Sequence, residues 1–293
     1  MFLQQLINGL TIGSTYAIFA VGYTLILGVL GVINMAHGTV FMLSAYAGLL
    51  MATNFTTNIV VIILTGMLAG AFLGVLLEFL AFRPISKLNA GPMASLIGTI
   101  GISITLQSLT ERIFGARTQQ FPSGIIDGTI TIAGARMSYI QILSFLTAIL
   151  LMVSIGYFIS RTKTGRAIRS TAENPEAASL LGINTNKITL ITTTLASALA
   201  GVSGVLIGIM YNAIEPTMGA PMSFKGLAVI IFGGLGDVKG AVIGGFILGL
   251  TEVFTVAFGA SQFRDAVAFI LIIIILFFRP QGLFGDSRKG GRV

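Results

Sequence analysis

The sequence predicts an all-α integral membrane protein, a polytopic bundle of about eight to nine transmembrane helices in one domain that covers residues 1–293. Hydrophobic residues make up 55% of the chain and charged residues only 9%, whereas soluble domains carry roughly 25% charged residues. Apolar runs recur along the whole chain, and a helix needs about 20 such residues to cross a hydrocarbon core. Most Lys and Arg residues lie between these runs, where they indicate membrane orientation and not a surface for nucleic acid.

Eight apolar runs are predicted to span the membrane. They cover residues 10–31, 39–53, 59–82, 92–109, 139–160, 188–210, 241–259 and 265–278. The amino-terminal stretch MFLQQLINGL contains no Lys or Arg, so we expect the first run to be retained as a span and not cleaved as a signal peptide. A further run, MSFKGLAVIIFG at 222–233, is too short to span comfortably. It predicts a discontinuous helix, which is tolerated at membrane depth only where protein or a water-filled cavity surrounds it.

The distribution of positive charge predicts the orientation. Most Lys and Arg residues lie in the connections 83–90, 161–187 and 233–240 and in the tail from 279. By the positive-inside rule these segments are cytoplasmic, which places the amino terminus outside and the carboxyl terminus in the cytoplasm. Termini on opposite sides require an odd number of crossings, so 222–233 counts as a ninth, short crossing. In the largest outside loop, 111–136 and the residues that follow it, the alternation in GTITIAGARMSY predicts a short β-hairpin.

Two of the runs carry small residues at helical spacing. These are Gly66, Gly70 and Gly74 in the third run and Ala196, Ala200, Gly204 and Gly208 in the sixth. Such faces let helix backbones approach each other closely, which lipid alone does not drive. We interpret them as helix-packing surfaces, and the alternative that they slide during a conformational cycle stays open.

The sequence lacks the residue patterns of an enzyme. There is no Cys, and His37 is the single histidine, so Cys-His pairs and thiolate metal sites are excluded. No Gly-Lys dipeptide is present, which excludes a Walker A loop, and GGLGDVKG at 233–240 lacks the third glycine of a dinucleotide-binding fingerprint. We therefore predict no enzymatic activity, no cofactor and no metal site.

Two carboxylates fall within apolar runs. Glu78 lies shortly before Arg83, which favours a satisfied carboxylate near the membrane interface. Glu252 lies deeper, in GLTEVFTVAF. Two interpretations of Glu252 stay open, a polar contact between helices and a role in a transport path.

The connection 161–187 contains a short helix with clear end signals. Asn174 is a typical N-cap, Pro175 suits the first helical position, and Gly182 is a typical helix stop. The predicted helix, 175–181, is far too short to span a membrane. Its apolar side suits docking in a groove on another protein, and the alternative of a helix lying on lipid headgroups stays open.

The stretch GVINMAHGTV at 31–40 is predicted to lie at the cytoplasmic mouth between the first two spans, where its glycines permit a sharp reversal. For His37 we expect an imidazole that hydrogen-bonds a helix end or a loop carbonyl, with a proton relay as the alternative. GGLGDVKGAV has similar glycine spacing, which hints at two similarly broken helices, and broken helices can offer backbone dipoles to a substrate. Our candidates for a translocation path are Asn34, His37, Gly38, Gly233, Gly234 and Glu252.

Four stretches of the chain resemble the permease subunits of ABC importers, and in particular the LivH-type permease of branched-chain amino acid importers. They are GVINMAHGTVFMLSAY, GRAIRSTAENPEAASLLGINT, GGLGDVKGAVIGG and the terminal FRPQGLFG. Within the second stretch, the importer signature of E-A-A, three residues and G is matched by Glu176, Ala177, Ala178 and Gly182. The isoleucine and Leu-Pro that often follow this signature are absent. The resemblance covers essentially the whole chain, and permeases for urea, short amides and other neutral amino acids are similar.

The resemblance implies a multi-pass subunit of the bacterial plasma (inner) membrane that translocates branched-chain amino acids by alternating access. It implies a heterodimer with a related second permease, in preference to a homodimer, two cytoplasmic ATP-binding subunits, and a periplasmic or lipid-anchored substrate-binding protein. It makes the segment 172–182 the coupling helix. The residues implied in ATPase coupling are Glu173, Asn174, Pro175, Glu176, Ala177, Ala178, Leu181 and Gly182. An autonomous channel or proton-coupled carrier for small polar solutes is the alternative function.

Overall fold

The computed structural model describes residues 2–87, 91–122, 124–126, 128–132 and 134–284. Its helices are α1 (Phe2–Leu30), α2 (His37–Asn54), α3 (Ile59–Leu77), α4 (Arg83–Lys87), α5 (Gly91–Phe114), α6 (Tyr139–Arg161), α7 (Lys163–Glu173), α8 (Pro175–Leu180), α9 (Thr185–Tyr211), α10 (Gly219–Gly233), α11 (Val238–Ala257) and α12 (Ala266–Phe278). A π-helical turn, Glu78–Phe82, joins α3 to α4, and a 3-10 turn, Ser261–Phe263, precedes α12. Strands β1 (Thr129–Ile132) and β2 (Ala135–Ser138) pair antiparallel.

The predicted polytopic bundle of apolar helices is confirmed. Within the described residues, six helices are long and apolar enough to cross a membrane, and they are Phe2–Leu30, Ile59–Ser86, Gly91–Phe114, Tyr139–Arg161, Thr185–Tyr211 and Val238–Ala257. The apolar helices Gly219–Gly233 and Ala266–Phe278 are shorter, and α2 has 18 residues. Each predicted run therefore coincides with a helix. The tail beyond 284 and part of the connection 83–90, which the orientation prediction uses, lie outside the described residues.

The first helix begins eight residues before the predicted run, at Phe2. Its polar first turns are held by the β-hairpin, which confirms the hairpin predicted from alternation. The Gln4 side chain donates to the Arg136 carbonyl at 2.8 Å and accepts from the Arg136 amide at 2.7 Å, and Gln141 donates to Asn8 at 3.0 Å. Polar residues that precede the apolar run thus belong to the helix, and the hairpin and the first turn of α6 supply their hydrogen-bond partners.

The core of the bundle is formed by α1 and α9, which are the most buried of the long helices, while only about a fifth of the residues in α3, α5 and α6 are buried. The glycine face of α3 packs directly on α9, where a Cβ added at Gly74 would lie 2.6 Å from Ser197. On α9 the predicted small face turns instead toward α1 and α2, since a Cβ at Gly204 would overlap the backbone of Phe41. Both faces serve close helix packing, as predicted.

The β-hairpin lies at one end of the bundle, and α7 and α8 lie at the other. The β-hairpin precedes α6 directly, and α6 runs the length of the bundle to α7 and α8. We call these the hairpin end and the α8 end. The ends of α1, α3, α10 and α12 and the beginnings of α9 and α11 lie at the α8 end.

Candidate functional site

The helix break predicted in GVINMAHGTV is present between α1 and α2. The chain leaves α1 at Leu30, Gly31 adopts a φ of +66°, and α2 begins at His37. The segment 32–36 is not helical, yet it runs through the protein interior, with Asn34 only 1% exposed. Non-helical backbone at this depth requires hydrogen-bond partners from its surroundings.

Three side chains supply those partners. The Asn34 side chain accepts from the amide of Ala36 at 3.1 Å, and Thr99 on α5 accepts from the amide of Met35 at 3.2 Å. Ser223 on α10 accepts from the amide of Gly38 at 3.1 Å and donates to the carbonyl of Met35 at 3.0 Å. The broken segment is therefore held by α5 and α10, which sequence reasoning did not identify as its partners.

The break also lies against the beginning of the short helix α10. A Cβ added at Gly219 would lie 2.7 Å from the Gly38 carbonyl oxygen, and a Cβ at Gly38 would overlap both the Gly219 carbonyl and the Ser223 hydroxyl. Only glycines permit this approach. The two interrupted segments predicted from the sequence thus meet, Gly38 against the first turn of α10.

Gly233 and Gly234 do not join that contact. They end α10 at the α8 end, about 20 Å along the helix from Gly219 at 1.5 Å per residue. There Gly233 packs on the backbone of Gly240 in α11, and the amide of Phe284 donates to the Gly233 carbonyl at 3.0 Å. The structure therefore separates Gly233 and Gly234 from the candidates at the helix break.

His37 is fully buried between aromatic rings. Its ring centroid lies 4.6 Å from that of Phe19 and 5.2 Å from that of Tyr23. Neither ring nitrogen forms a hydrogen bond of acceptable geometry with the described residues. The imidazole packs on aromatic side chains of α1, and within the described residues no hydrogen bond to a helix end or loop carbonyl of the expected kind is found.

Glu252 is the centre of a buried polar cluster. Its carboxylate has no exposed surface, and its Oε1 lies 3.0 Å from the Lys225 ammonium. Its Oε2 accepts from Arg264 at 3.1 Å and from the Tyr16 hydroxyl at 2.9 Å. Lys225 also lies 3.0 Å from Asp265. We call these five residues the Glu252 cluster, and they join α1, α10, α11 and the segment before α12.

The partners of Glu252 were missed in the sequence, although a signal existed. Lys225 is the one basic residue inside an apolar run, four positions into MSFKGLAVIIFG, and an ionisable residue at membrane depth normally has a partner. Burying a carboxylate is costly unless several donors surround it. Of the two interpretations left open for Glu252, the structure shows a polar contact between helices.

Beside this cluster a cavity of about 440 Å³ lies at the hairpin end, between the end of α9 and the beginning of α10. Lys225, Arg264 and Asp265 contribute to its lining. A second cavity, of about 530 Å³, lies at the α8 end. Its lining includes Glu78, which is 2% exposed, and Thr171. Glu78 is buried in the π-helical turn, and within the described residues it forms no ion pair and its Oε2 has no hydrogen-bond partner, in contrast to the satisfied carboxylate we expected.

The short helix α8 has the predicted caps. The Asn174 side chain accepts from the Ala177 amide at 3.0 Å, and Pro175 occupies the first turn. The helix ends at Leu180, one residue before the predicted end, because Leu181 already leaves the helical region and Gly182 turns the chain with a φ of +84°. Such a left-handed residue is a common helix terminator.

The outward surface of α8 combines exposed leucines with exposed carboxylates. Leu180 and Leu181 are 88% and 82% exposed, while Ala178 is buried against the neighbouring helices. Glu173 and Glu176 are also exposed. Two adjacent exposed leucines on a capped turn suit docking in an apolar groove on a partner.

Behind α8, an apolar cluster connects this surface to the broken segment. Ile168 of α7, Ile188 of α9 and Val29 of α1 are buried together. Val29 is near the end of α1, just before the break at Gly31. A displacement of α7 and α8 would therefore reach the helix break through packed side chains.

Comparisons with known proteins identify the family of the chain. Residues 5–276 match the family model of the permease component of branched-chain amino acid transport systems. The chain is 37% identical to the high-affinity branched-chain amino acid transport system permease protein BraD of Pseudomonas aeruginosa, over 97% of this chain and 96% of BraD. It is 35% identical to the corresponding protein LivH of Escherichia coli K12, again over 97% of this chain and 96% of LivH.

A more distant relative extends the match to an archaeon. The probable branched-chain amino acid transport permease protein LivH of Methanocaldococcus jannaschii is 28% identical, over 98% of this chain and 94% of that protein. No solved structure matches the chain. Because the family model and these relatives cover almost the whole chain, it belongs to the family of branched-chain amino acid transport system permease components.

Proposed function

We propose that this chain is the transmembrane permease subunit of an ATP-binding-cassette importer that moves branched-chain or related neutral amino acids into the cytoplasm. As a member of its family the chain is a transport permease and not an enzyme. In the proposal the ATP-binding subunits are separate cytoplasmic chains, a related second permease completes a heterodimer, and a periplasmic or lipid-anchored protein delivers the substrate.

The observation that carries this proposal is the surface of α8. Its exposed leucines, Leu180 and Leu181, suit a groove on another protein, and its buried side packs on α7 and α9. An ATP-binding subunit seated there can push on α8. The packed side chains of Ile168, Ile188 and Val29 then pass the displacement to the end of α1. The coupling residues Glu173, Asn174, Pro175, Glu176, Ala177, Ala178, Leu181 and Gly182 form this surface and its caps.

The proposed membrane arrangement has nine crossings, formed by α1, α2, α3, α5, α6, α9, α10, α11 and α12. The α8 end faces the cytoplasm, since the basic connections lie there, and the hairpin end faces outward. Alternating access then opens and closes a path near the contact of the helix break with α10. In this proposal the Glu252 cluster lies on the outer side of that path.

The orientation can be tested by labelling, because the native chain contains no cysteine. We expect a cysteine introduced at Asn174 to react with a membrane-impermeant thiol reagent only when the cytoplasmic side is accessible. A cysteine at Thr57, which is exposed between α2 and α3 at the hairpin end, should react in intact cells. Opposite labelling of the two positions would reverse the proposed orientation.

The importer function is tested on the reconstituted complex with its ATP-binding subunits and binding protein. We expect Leu180→Ser and Glu176→Lys to leave the thermal stability of the complex nearly unchanged, because both side chains are exposed. Substrate-stimulated ATP hydrolysis and uptake should both fall about tenfold or more, as for the loss of an interface anchor. Gly182→Leu should act similarly, because its φ of +84° is strained for leucine.

Lys187→Ser provides the matched control, since Lys187 is exposed at the beginning of α9 but lies outside the α8 surface. It should leave uptake unchanged. If the three α8 variants couple ATP hydrolysis to uptake as well as this control does, α8 is not the coupling helix. Substrate flux through liposomes that contain this chain alone would favour an autonomous channel or carrier instead.

A further inference from the structure

The cavity at the hairpin end has two chemically different walls. Phe41, Ile207, Met218 and Met222 form an apolar wall, and Lys225, Arg264, Asp265 and Glu215 contribute charged groups. Its volume of about 440 Å³ falls within the roughly 300–1,000 Å³ that is typical of small-molecule pockets. The cavity therefore suits a small ligand with an aliphatic part and a charged part.

The charged wall has hydrogen-bonding capacity that the protein does not use. A guanidinium has five N–H donors, and Arg264 contributes its Nε to Glu252 and its Nη2 to the Tyr211 hydroxyl. The Arg264 side chain is 33% exposed. Its remaining N–H groups can therefore bind a carboxylate, for which the planar guanidinium is well shaped.

Unused acceptors lie on the same wall. Asp265 contacts Lys225 through Oδ1 at 3.0 Å, and its side chain is 74% exposed. Glu215 is exposed, and it accepts from Thr118 at 2.7 Å through Oε1 and from Thr217 at 3.5 Å through Oε2, so each oxygen carries one hydrogen bond. Each of these acidic side chains thus has acceptor capacity left for an ammonium group.

The net charge of the Glu252 cluster restricts the ligand further. Within the cluster, the positive charges of Lys225 and Arg264 are balanced by Glu252 and Asp265, while Glu215 lies outside the cluster and its negative charge is exposed to solvent. A ligand with a net charge would disturb this balance in a partly desolvated site, whereas a zwitterion preserves it.

We propose that this cavity binds the zwitterionic head of an aliphatic amino acid, with the carboxylate on Arg264, the ammonium on Asp265 and Glu215, and the aliphatic side chain on the apolar wall. Glu252 is a positioning residue, because it holds Arg264 and Lys225 in place from behind. The inference rests on the proposed importer function and adds to it a substrate site in the permease itself. Selection of a zwitterion then continues after the substrate-binding protein has released it.

The test uses a cysteine at Met218, on the apolar wall, in the reconstituted importer complex. The rate at which a small methanethiosulfonate reagent modifies this cysteine is measured with L-leucine, with 4-methylpentanoate, which lacks the ammonium, and with 3-methylbutylamine, which lacks the carboxylate. We expect leucine to slow modification and the two analogues to need about tenfold higher concentrations for equal protection. A cysteine at Thr57 is the control and should show no protection.

Two variants locate the charged contacts. Arg264→Met and Asp265→Asn in the Met218→Cys background should each raise the leucine concentration for half-protection about tenfold. Asp265→Asn is the variant that we expect to fold normally, because the Asp265 side chain is largely exposed. It therefore tests the site even if Arg264→Met misfolds. No protection by leucine up to its solubility limit, or equal protection by either analogue, overturns the site. If ATP-driven uptake persists in that case, the importer function stands without it.

Discussion

We expect Glu252→Leu to abolish uptake and to lower the free energy of unfolding by about 3–5 kcal/mol, the usual cost of removing one partner from a buried ion pair. The carboxylate is fully buried and contacts Lys225, Arg264 and Tyr16. Its removal leaves the Lys225 ammonium, itself only 12% exposed, with Asp265 as its remaining carboxylate. That loss is a large part of a total stability of about 5–15 kcal/mol.

The matched control is Glu78→Leu, since Glu78 is also a buried carboxylate on an apolar helix but has no ion pair among the described residues. Its replacement should be neutral or stabilising, because an unpaired buried carboxylate loses more from desolvation than it gains. The measurement is thermal or chemical denaturation of the purified complex in detergent. Equal destabilisation by the two variants would show that the Lys225 and Arg264 contacts contribute little.

A double-mutant cycle separates the ion pair from simple packing. Glu252→Gln and Lys225→Met are made singly and together. The coupling free energy is the change in the free energy of unfolding of the double variant minus the sum of the changes in the two single variants. We expect the double variant to be more stable than the sum of the single effects predicts, because a well-packed apolar pair can replace a buried ion pair. Additive effects would indicate that the two side chains act independently.

Helix positions could be predicted from the sequence because each depends on local composition. The apolar runs, the Asn174 cap, the Gly182 turn and the hairpin alternation all reflect preferences that act within a few residues. The same applies to the helix break near Gly31. The predicted ends of the helices were less accurate. The helix α1 begins at Phe2, and its first turns form hydrogen bonds with a hairpin more than 130 residues away in the sequence.

Contacts between distant helices could not be read in the same way. Glu252 pairs with Lys225 only because α10 and α11 present those positions to each other, and composition does not specify helix rotation. For the same reason Gly233 and Gly234 were grouped with Gly38, although they lie at the opposite end of α10. His37 was expected beside a carbonyl and lies between Phe19 and Tyr23. Sequence spacing thus identified candidate residues but not their neighbours.

The second large effect is expected at the contact of the helix break with α10. Gly38→Ala should eliminate most uptake and strongly destabilise the protein, because the added methyl group would overlap the Gly219 carbonyl and the Ser223 hydroxyl. Relief requires α2 and α10 to separate, which costs about 1–3 kcal/mol for overpacking. The separation also breaks the hydrogen bond from the Gly38 amide to Ser223. An unpaired buried amide costs a further amount of about 1–3 kcal/mol.

Gly101→Ala on α5 is the control, because no heavy atom lies within 4 Å of a Cβ built there. Alanine has the higher helix propensity by about 1 kcal/mol, so this variant should be at least as stable as the native chain. Ser223→Ala should fall between the two variants, since it removes the hydrogen bonds to Gly38 and Met35 without adding volume. The stability of the three variants is measured by denaturation in detergent, and their transport activity by uptake in proteoliposomes. If Gly38→Ala unfolds like Gly101→Ala, then the break and α10 are already loosely associated, and the close contact is not what holds the broken segment at membrane depth.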